Sequence, residues 1–258
     1  MLGVYNYTVI LTYLGMFFAC AGIHFAFSSS DRSFILSLLC LMLAGVMDMF
    51  DGKVASTKKN RSGFEKEFGI QIDSMADLVS YGVLPALLVY KLALGDSVYP
   101  HIHPLGVRVT MCICAVYLLC ALIRLSFFNV EESERQRSAG GCRREYRGLP
   151  VTSVALVLPA VFIISYFAGS RRPPIVPSTV ILAFMGAAFI TPFRMAKPGF
   201  AGKALMVAMG IAELALLFLG KSYCLSFDKS SSASEEVSFS AEELIYDEPL
   251  GDWGGAPQ

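Results

Sequence analysis

The sequence predicts an all-α fold, a polytopic helical bundle embedded in a membrane. Of the 258 residues, 55% are hydrophobic and 16% are charged, whereas soluble domains carry about 25% charged residues. Uncharged runs recur along the chain, and several reach the roughly 20 residues that cross a bilayer. A span in lipid must satisfy its own backbone hydrogen bonds, so these runs are expected to be helices.

The apolar runs define six core transmembrane helices and a weaker seventh. The core spans are predicted near residues 8–28, 33–54, 74–94, 107–128, 150–168 and 175–193. The seventh, near 203–220, is weaker because Glu213 stands in its middle. No Lys or Arg precedes the first run, which is also too long for a cleaved leader, so we expect it to be a retained helix.

The chain is predicted to divide into a membrane domain, residues 1–221, and an acidic tail, residues 222–258. Of the 21 basic and 21 acidic residues, 2 and 8 lie at or after Lys221, which leaves 19 and 13 in residues 1–220. The tail has few apolar residues and is expected to be largely disordered. A basic membrane part suits an enzyme of anionic lipid. Its basic residues fall in loops, which argues against a nucleic-acid partner.

The basic loops predict the orientation in the membrane. Most Lys and Arg residues lie in the loops after the second, fourth and sixth spans. The first of these loops carries Lys53, Lys58, Lys59, Arg61 and Lys66. By the positive-inside rule these loops face the cytoplasm. We therefore expect an integral protein of the inner (plasma) membrane with its active site facing the cytoplasm.

Four aspartates flank the first basic loop. Asp48 and Asp51 are spaced i, i+3 at the end of the second span, and Asp73 and Asp77 are spaced i, i+4 at the start of the third, so each pair shares a helix face. A hairpin can set the two pairs opposite each other. Four converging carboxylates repel one another, and oxygen ligands without His or Cys suit Mg²⁺, Mn²⁺ or Ca²⁺. The interpretation is a site for two divalent cations, with solvated helix ends as the alternative.

Such a site at a cytoplasmic surface indicates phosphoryl or phosphatidyl transfer, in which cations neutralise phosphate oxygens and the leaving group. Gly52 and Gly69 would let the backbone approach a phosphate closely. A membrane cation transporter is the alternative function, but it predicts carboxylates deep in several spans, and only Glu213 fits that description. A third alternative is a non-catalytic protein that binds nucleotide lipid, and the presence of all four aspartates argues against it.

The spacing of these residues resembles the signature of the CDP-alcohol phosphatidyltransferases, D-x-x-D-G-x-x-A-R, then about eight residues, then G-x-x-x-D-x-x-x-D. The chain fills this signature with Asp48, Asp51, Gly52, Ala55, Gly69, Asp73 and Asp77. The segments "FGIQIDSMADLVSYGVLPALLVY", "RLSFFNV" and "RGLPVTSVAL" resemble the phosphatidylserine synthase branch. The resemblance covers roughly residues 5 to 200.

The resemblance implies a homodimeric membrane enzyme that joins CDP-diacylglycerol to L-serine and releases CMP. It implies that the aspartates hold two divalent cations, that Asp77 is the general base, and that Gly52, Ala55 and Ser56 line the CDP moiety. A serine hydroxyl is a poor nucleophile at neutral pH, so a carboxylate must accept its proton. Glycerol 3-phosphate and inositol phosphate are the alternative acceptors.

The chain departs from the signature at two points. Ser56 stands where the signature has Arg, and twelve residues, Thr57 to Phe68, precede Gly69 instead of eight. Four extra residues are close to one turn of 3.6 residues, so a helical insert would keep the facing of Gly69. The positive charge that the signature Arg would supply is then expected from Lys58, Lys59 or Arg61. The alternative is that these three residues only hold the loop in the cytosol.

The acceptor pocket has three candidates. Arg124 and Asn129, at the end of the fourth span, and Arg147, before the fifth, are candidates to bind the serine carboxylate. The alternative for the arginines is that they extend to the membrane surface or set topology, as arginines at span ends often do.

Overall fold

The structure, a computed structural model, describes residues 3–28, 31–94, 104–137, 145–168, 174–196 and 206–217. Within these ranges nearly every element is helical, which confirms the all-α, polytopic prediction. The predicted acidic tail, 222–258, lies outside the described residues.

Eight α-helices are described. They are α1 Ile10–Phe27, α2 Asp31–Thr57, α3 Gly63–Asp77, α4 Leu84–Leu94, α5 Pro104–Arg137, α6 Val154–Phe167, α7 Ile175–Ile190 and α8 Met206–Leu217. Short 3₁₀ turns at Tyr7–Val9 and Val151–Ser153 lead into α1 and α6, and a π-helical segment, Leu78–Val83, joins α3 to α4. Two three-residue strands, β1 Glu145–Arg147 and β2 Arg194–Ala196, pair antiparallel.

Each of the seven predicted spans overlaps a helix in the described part of the chain. Four helical stretches are long and apolar enough to cross a membrane: Tyr7–Phe27, Ser33–Thr57, Gly63–Leu94 and Pro104–Glu134. Three further apolar helices are shorter: Val151–Ser165, Ile175–Ile190 and Met206–Leu217. The core lies among α2, α4, α5, α6 and α7, where Leu41, Leu88, Tyr117, Leu158 and Leu182 are almost fully buried.

The third span begins earlier than predicted. Its helix starts at Gly63 rather than near residue 74, so Asp73 and Asp77 lie in the middle of the helical stretch Gly63–Leu94 and not at its start. The cause is a capping box. The Ser62 hydroxyl accepts a hydrogen bond from the backbone N–H of Glu65, and the Glu65 carboxylate accepts one from the backbone N–H of Ser62.

Small residues bring α1 close to α2 and α4. Gly15, Ala19, Gly22 and Ala26 are buried at intervals of three or four along α1. A Cβ atom at Gly22 would lie 2.9 Å from a Leu84 side-chain carbon and 3.1 Å from Cβ of Cys40. Helices in lipid associate through such close packing of small residues. The pairing brings the start of α1 to the end of α2, beside the aspartates.

The π-helical segment has a cause in the sequence. In an α-helix the carbonyl of Tyr81 would accept a hydrogen bond from residue 85, but Pro85 has no N–H and its ring crowds that carbonyl. The Tyr117 hydroxyl of α5 donates to the Tyr81 carbonyl instead. The Leu84 N–H donates to the carbonyl of Val79, five residues back. The helix therefore widens directly after Asp77.

Candidate metal centre and its cavity

Three of the four aspartates converge on one point. Asp48 comes from α2, and Asp73 and Asp77 come from successive turns of α3. One carboxylate oxygen from each residue lies within 4.8 Å of the other two. All three side chains are partly buried. The hairpin of α2 and α3 thus sets the two aspartate pairs opposite each other, as the sequence predicts.

Asp51 joins this cluster through contacts on two sides. Its carboxyl group lies within hydrogen-bonding distance of that of Asp73. On the other side the hydroxyl of Thr12, in α1, donates a hydrogen bond to Asp51 Oδ2 at 3.1 Å. Sequence reasoning missed Thr12, because a threonine in an apolar helix carries no local signal of a polar role.

The donor set fits a divalent cation. Four partly buried carboxylates at one place repel each other, and bound positive charge removes that repulsion. Carboxylate oxygens are the ligands that hard cations such as Mg²⁺, Mn²⁺ and Ca²⁺ prefer. Asp48, Asp51, Asp73 and Asp77 are therefore the residues that can hold metal here.

A cavity of about 750 Å³ adjoins the cluster, and Asp51 and Asp73 form part of its wall. This volume lies within the range of ligand-binding pockets, roughly 300–1,000 Å³. The cavity brings together all seven residues that the sequence assigns to the nucleotide lipid: Gly52, Ala55, Ser56, Lys58, Lys59, Arg61 and Gly69. Its wall also includes residues that the sequence did not assign to a binding site, among them Thr8, Lys66 and Ser133.

The insert after Ser56 is not one continuous helix, so the condition under which it would keep the facing of Gly69 is not met. Helix α2 ends at Thr57 and α3 begins at Gly63, with residues 58–62 in a loop between them. The capping box at Ser62 is the physical reason, since it starts a new helix at that point. The loop nevertheless carries Lys58, Lys59 and Arg61 to the cavity wall.

Glu65 organises this loop. Its Oε1 atom lies 2.7 Å from Lys58 Nζ in an ion pair. The same oxygen accepts a hydrogen bond from Asn6 Nδ2 at 3.1 Å. Glu65 therefore ties the loop to the segment before α1. The "SGFE" sequence at residues 62–65 carries the capping-box signal that would have identified this start.

Arg61 packs against Gly69. A Cβ atom at Gly69 would lie 2.7 Å from Arg61 Nη2, so a larger residue there would displace the guanidinium. Nη2 donates a hydrogen bond to the backbone carbonyl of Glu65 at 3.2 Å. The Arg61 Nε atom is buried and has no hydrogen-bond partner within the described ranges.

The three candidates for the acceptor pocket have different surroundings. Asn129 Oδ1 accepts a hydrogen bond from the hydroxyl of Ser74, next to Asp73, at 2.6 Å. Arg124 is buried, its guanidinium carbon lies 5.8 Å from the centre of the Phe128 ring, and its Nε donates to the Leu149 carbonyl at 3.4 Å. The backbone of Arg147 pairs with Arg194 in the β1–β2 ladder. Only the first of these contacts reaches α3.

This fold and this site define a class, a polytopic membrane protein with a carboxylate cluster beside a cavity that has a basic wall. The profile of the CDP-alcohol phosphatidyltransferase family matches residues 5–193. The chain belongs to this family.

Relatives of known activity match parts of the chain. It is 29% identical over 154 residues to the archaetidylserine synthase of Methanothermobacter thermautotrophicus, covering 60% of this chain and 58% of that protein. It is 34% identical over 122 residues to the CDP-diacylglycerol–serine O-phosphatidyltransferase of Saccharomyces cerevisiae, covering 46% and 38%. The enzyme of the same name from Bacillus subtilis is 34% identical over 99 residues, covering 38% and 48%. These matches span 38% to 58% of the relatives' lengths.

Proposed function

We propose that this protein transfers the phosphatidyl group of CDP-diacylglycerol to L-serine, giving phosphatidylserine and CMP. The observation that carries the proposal is the shared wall of the cavity, in which Asp51 and Asp73 stand with Gly52 and three basic loop residues. Basic groups suit the diphosphate of the donor, and carboxylates suit cations that bind the same diphosphate. The names of the relatives share serine, which supports serine as the acceptor.

Two divalent cations, Mg²⁺ or Mn²⁺, are proposed for the four aspartates, with Ca²⁺ as a weaker candidate. When bound, they supply positive charge that neutralises the diphosphate and stabilises departing CMP. Asp48, Asp51, Asp73 and Asp77 hold them through carboxylate oxygens. Thr12 keeps Asp51 oriented through its hydrogen bond.

Asp77 is proposed as the general base. The serine oxygen attacks the phosphorus atom that carries diacylglycerol, and the bond from that phosphorus to the CMP oxygen breaks. Asp77 accepts the proton of the serine hydroxyl, and CMP leaves with the electron pair of the broken bond. Asn129, which accepts a hydrogen bond from Ser74 on α3, is proposed to orient the acceptor, and Arg124 and Arg147 are the proposed partners of the serine carboxylate.

The proposed location is the inner (plasma) membrane, with the cavity open to the cytoplasm. The loop that holds Lys58, Lys59 and Arg61 borders the cavity, and such basic loops stay on the cytoplasmic side. The lipid tails of the donor can then remain in the bilayer while its nucleotide enters from the cytosol. A homodimer is proposed as well, on the family resemblance, and chemical cross-linking in native membranes tests it.

The test is release of CMP from CDP-diacylglycerol by the purified protein in detergent. CMP is expected only when both L-serine and Mg²⁺ or Mn²⁺ are present, and chelation should abolish its release. Faster reaction with glycerol 3-phosphate or inositol phosphate, assayed side by side, would show that serine is not the acceptor. No CMP with any of the three acceptors would refute phosphatidyl transfer.

A further inference from the structure

We propose that Arg61 is the basic residue that binds the diphosphate of the nucleotide lipid, and that its guanidinium is placed for this by lying against Gly69. The identity of the ligand rests on the proposed function. The role of Arg61 rests on the geometry around the loop at residues 58–62.

The surroundings of the three basic loop residues differ. Lys58 is engaged in an ion pair with Glu65, at 2.7 Å. Lys59 is exposed, with its side chain largely in solvent. Arg61 is partly buried and lines the cavity together with Asp51 and Asp73. All three residues line the cavity, and Arg61 is the one that combines partial burial with a charge outside the Lys58–Glu65 ion pair.

Gly69 makes room for the Arg61 guanidinium. Since a Cβ atom at residue 69 would come within 2.7 Å of Nη2, the guanidinium lies directly against the backbone of α3. A Cβ atom this close would push the end of the flexible Arg61 side chain aside, so the present placement requires glycine at residue 69. The Glu65 carbonyl, 3.2 Å from Nη2, holds the group from a second side. Gly69 is also one helical turn before Asp73, so the guanidinium and the carboxylate cluster share one side of α3.

The guanidinium of Arg61 suits a diphosphate. A guanidinium presents its N–H groups in a planar fork that matches phosphate oxygens. A diphosphate in the cavity would meet the Arg61 side chain in the cavity wall. Ser56, where the signature has Arg, has a hydroxyl and no charge to offer.

The experiment measures binding of CDP to the full-length protein in detergent with Mg²⁺, by isothermal titration calorimetry. Two variants test the contact between Arg61 and Gly69. Arg61→Gln removes the guanidinium, and Gly69→Ala adds a methyl group at the place where the guanidinium lies. Both should raise the Kd for CDP by roughly ten- to hundredfold, the range expected for a lost charge-assisted hydrogen bond. In the transfer assay the KM for CDP-diacylglycerol should rise similarly, and the KM for serine should change less than about twofold.

Two control variants match these changes. Lys53→Gln removes one positive charge from α2, where the ammonium lies 5.4 Å from the Phe50 ring centre. Gly210→Ala adds a methyl group at a glycine of α8 that does not line the cavity, where a Cβ atom would lie 3.4 Å from a Leu156 side-chain carbon, an ordinary contact. Both should bind CDP like the wild type. Elution on size exclusion and the thermal unfolding midpoint show whether each variant is folded.

The outcomes separate this inference from the proposed function. Normal CDP affinity in folded Arg61→Gln would overturn the role of Arg61, even if the wild type makes phosphatidylserine. Normal affinity in Gly69→Ala would refute the role of Gly69 in placing the Arg61 guanidinium. An equal loss in Lys53→Gln would show a general charge effect, which also overturns it. A wild type that neither binds CDP nor releases CMP would refute the proposed function and, with it, the diphosphate as the ligand of Arg61.

Discussion

Asp51 is positioned by a side chain from another helix. The Thr12 hydroxyl of α1 reaches it across the α1–α2 contact at 3.1 Å, and this contact exists because small residues let the two helices approach. A hydrogen bond to a charged group contributes about 1.5–3 kcal/mol. The orientation of Asp51, a proposed metal ligand in α2, thus depends on the packing of α1.

Replacing Thr12 with Val should therefore weaken metal binding. The substitution keeps the shape of the side chain and removes the donor, so we expect the Kd for Mn²⁺ to rise by about tenfold or more. Thr12→Ser, which keeps the hydroxyl, should bind Mn²⁺ nearly as the wild type does. Electron paramagnetic resonance of free Mn²⁺ measures both. Equal affinity in Thr12→Val and the wild type would mean that the hydrogen bond does not orient Asp51.

Substitutions in the aspartate cluster should have two kinds of effect. Asp51→Ala and Asp73→Ala each remove a ligand from the cluster, so transfer should be abolished, as it should be when the wild type is treated with a chelator. Asp77→Asn should keep substantial binding of CDP-diacylglycerol and lose turnover by about a hundredfold or more, the usual contribution of a general base. Single-turnover assays together with binding measurements distinguish these cases. Near wild-type turnover by Asp77→Asn would exclude Asp77 as the base.

At the scale of elements, the junction between α2 and α3 depends on the capping box. Ser62→Ala should cost about 1 kcal/mol of stability, because it leaves a backbone N–H of the first turn without its acceptor. For a chain of this size that corresponds to roughly 2–4 °C in the thermal unfolding midpoint. Ser62→Asn, a good N-cap, should unfold close to the wild-type temperature. If Ser62→Ala also unfolds there, the cap does not determine where α3 starts.

Sequence reasoning succeeded where the geometry is local. The i, i+3 and i, i+4 spacings placed each aspartate pair on one helix face, and a hairpin between the two helices was enough to predict that Asp48 meets Asp73 and Asp77. It failed at the start of α3, where a hydrophobicity pattern cannot detect a polar first turn outside the apolar run. The capping signal was present at Ser62 and Glu65 but was not used.

Contacts between helices were the part that no local pattern contains. The hydrogen bond from Thr12 to Asp51 and that from Ser74 to Asn129 join residues 39 and 55 positions apart. They depend on how closely the helices pack, which is set by small residues and side-chain fit along whole faces. The contact between Arg61 and Gly69 could not be predicted either, since a glycine in a sequence is compatible with many roles.

At the scale of the whole molecule, catalysis should reside in the membrane domain. Residues 222–258 lie outside the part that matches the family, 5–193, and are acidic with few apolar residues. A protein truncated after residue 221 should release CMP within about twofold of the full-length rate. The comparison uses equal amounts of folded protein in the same detergent. A folded but inactive truncation would assign the tail a catalytic role.

Because of the π-helical segment Leu78–Val83, the site requires a fixed number of residues between the aspartates and α4. The helical stretch Gly63–Leu94 carries the aspartates in one half and, in the other, the side chains of α4 that are anchored in the core. Each residue advances an α-helix by about 100°, so losing one residue between the halves would turn Asp73 and Asp77 away from Asp48 while α4 stayed in place. Natural variation in this segment should therefore consist of substitutions, and insertions or deletions should be eliminated by selection.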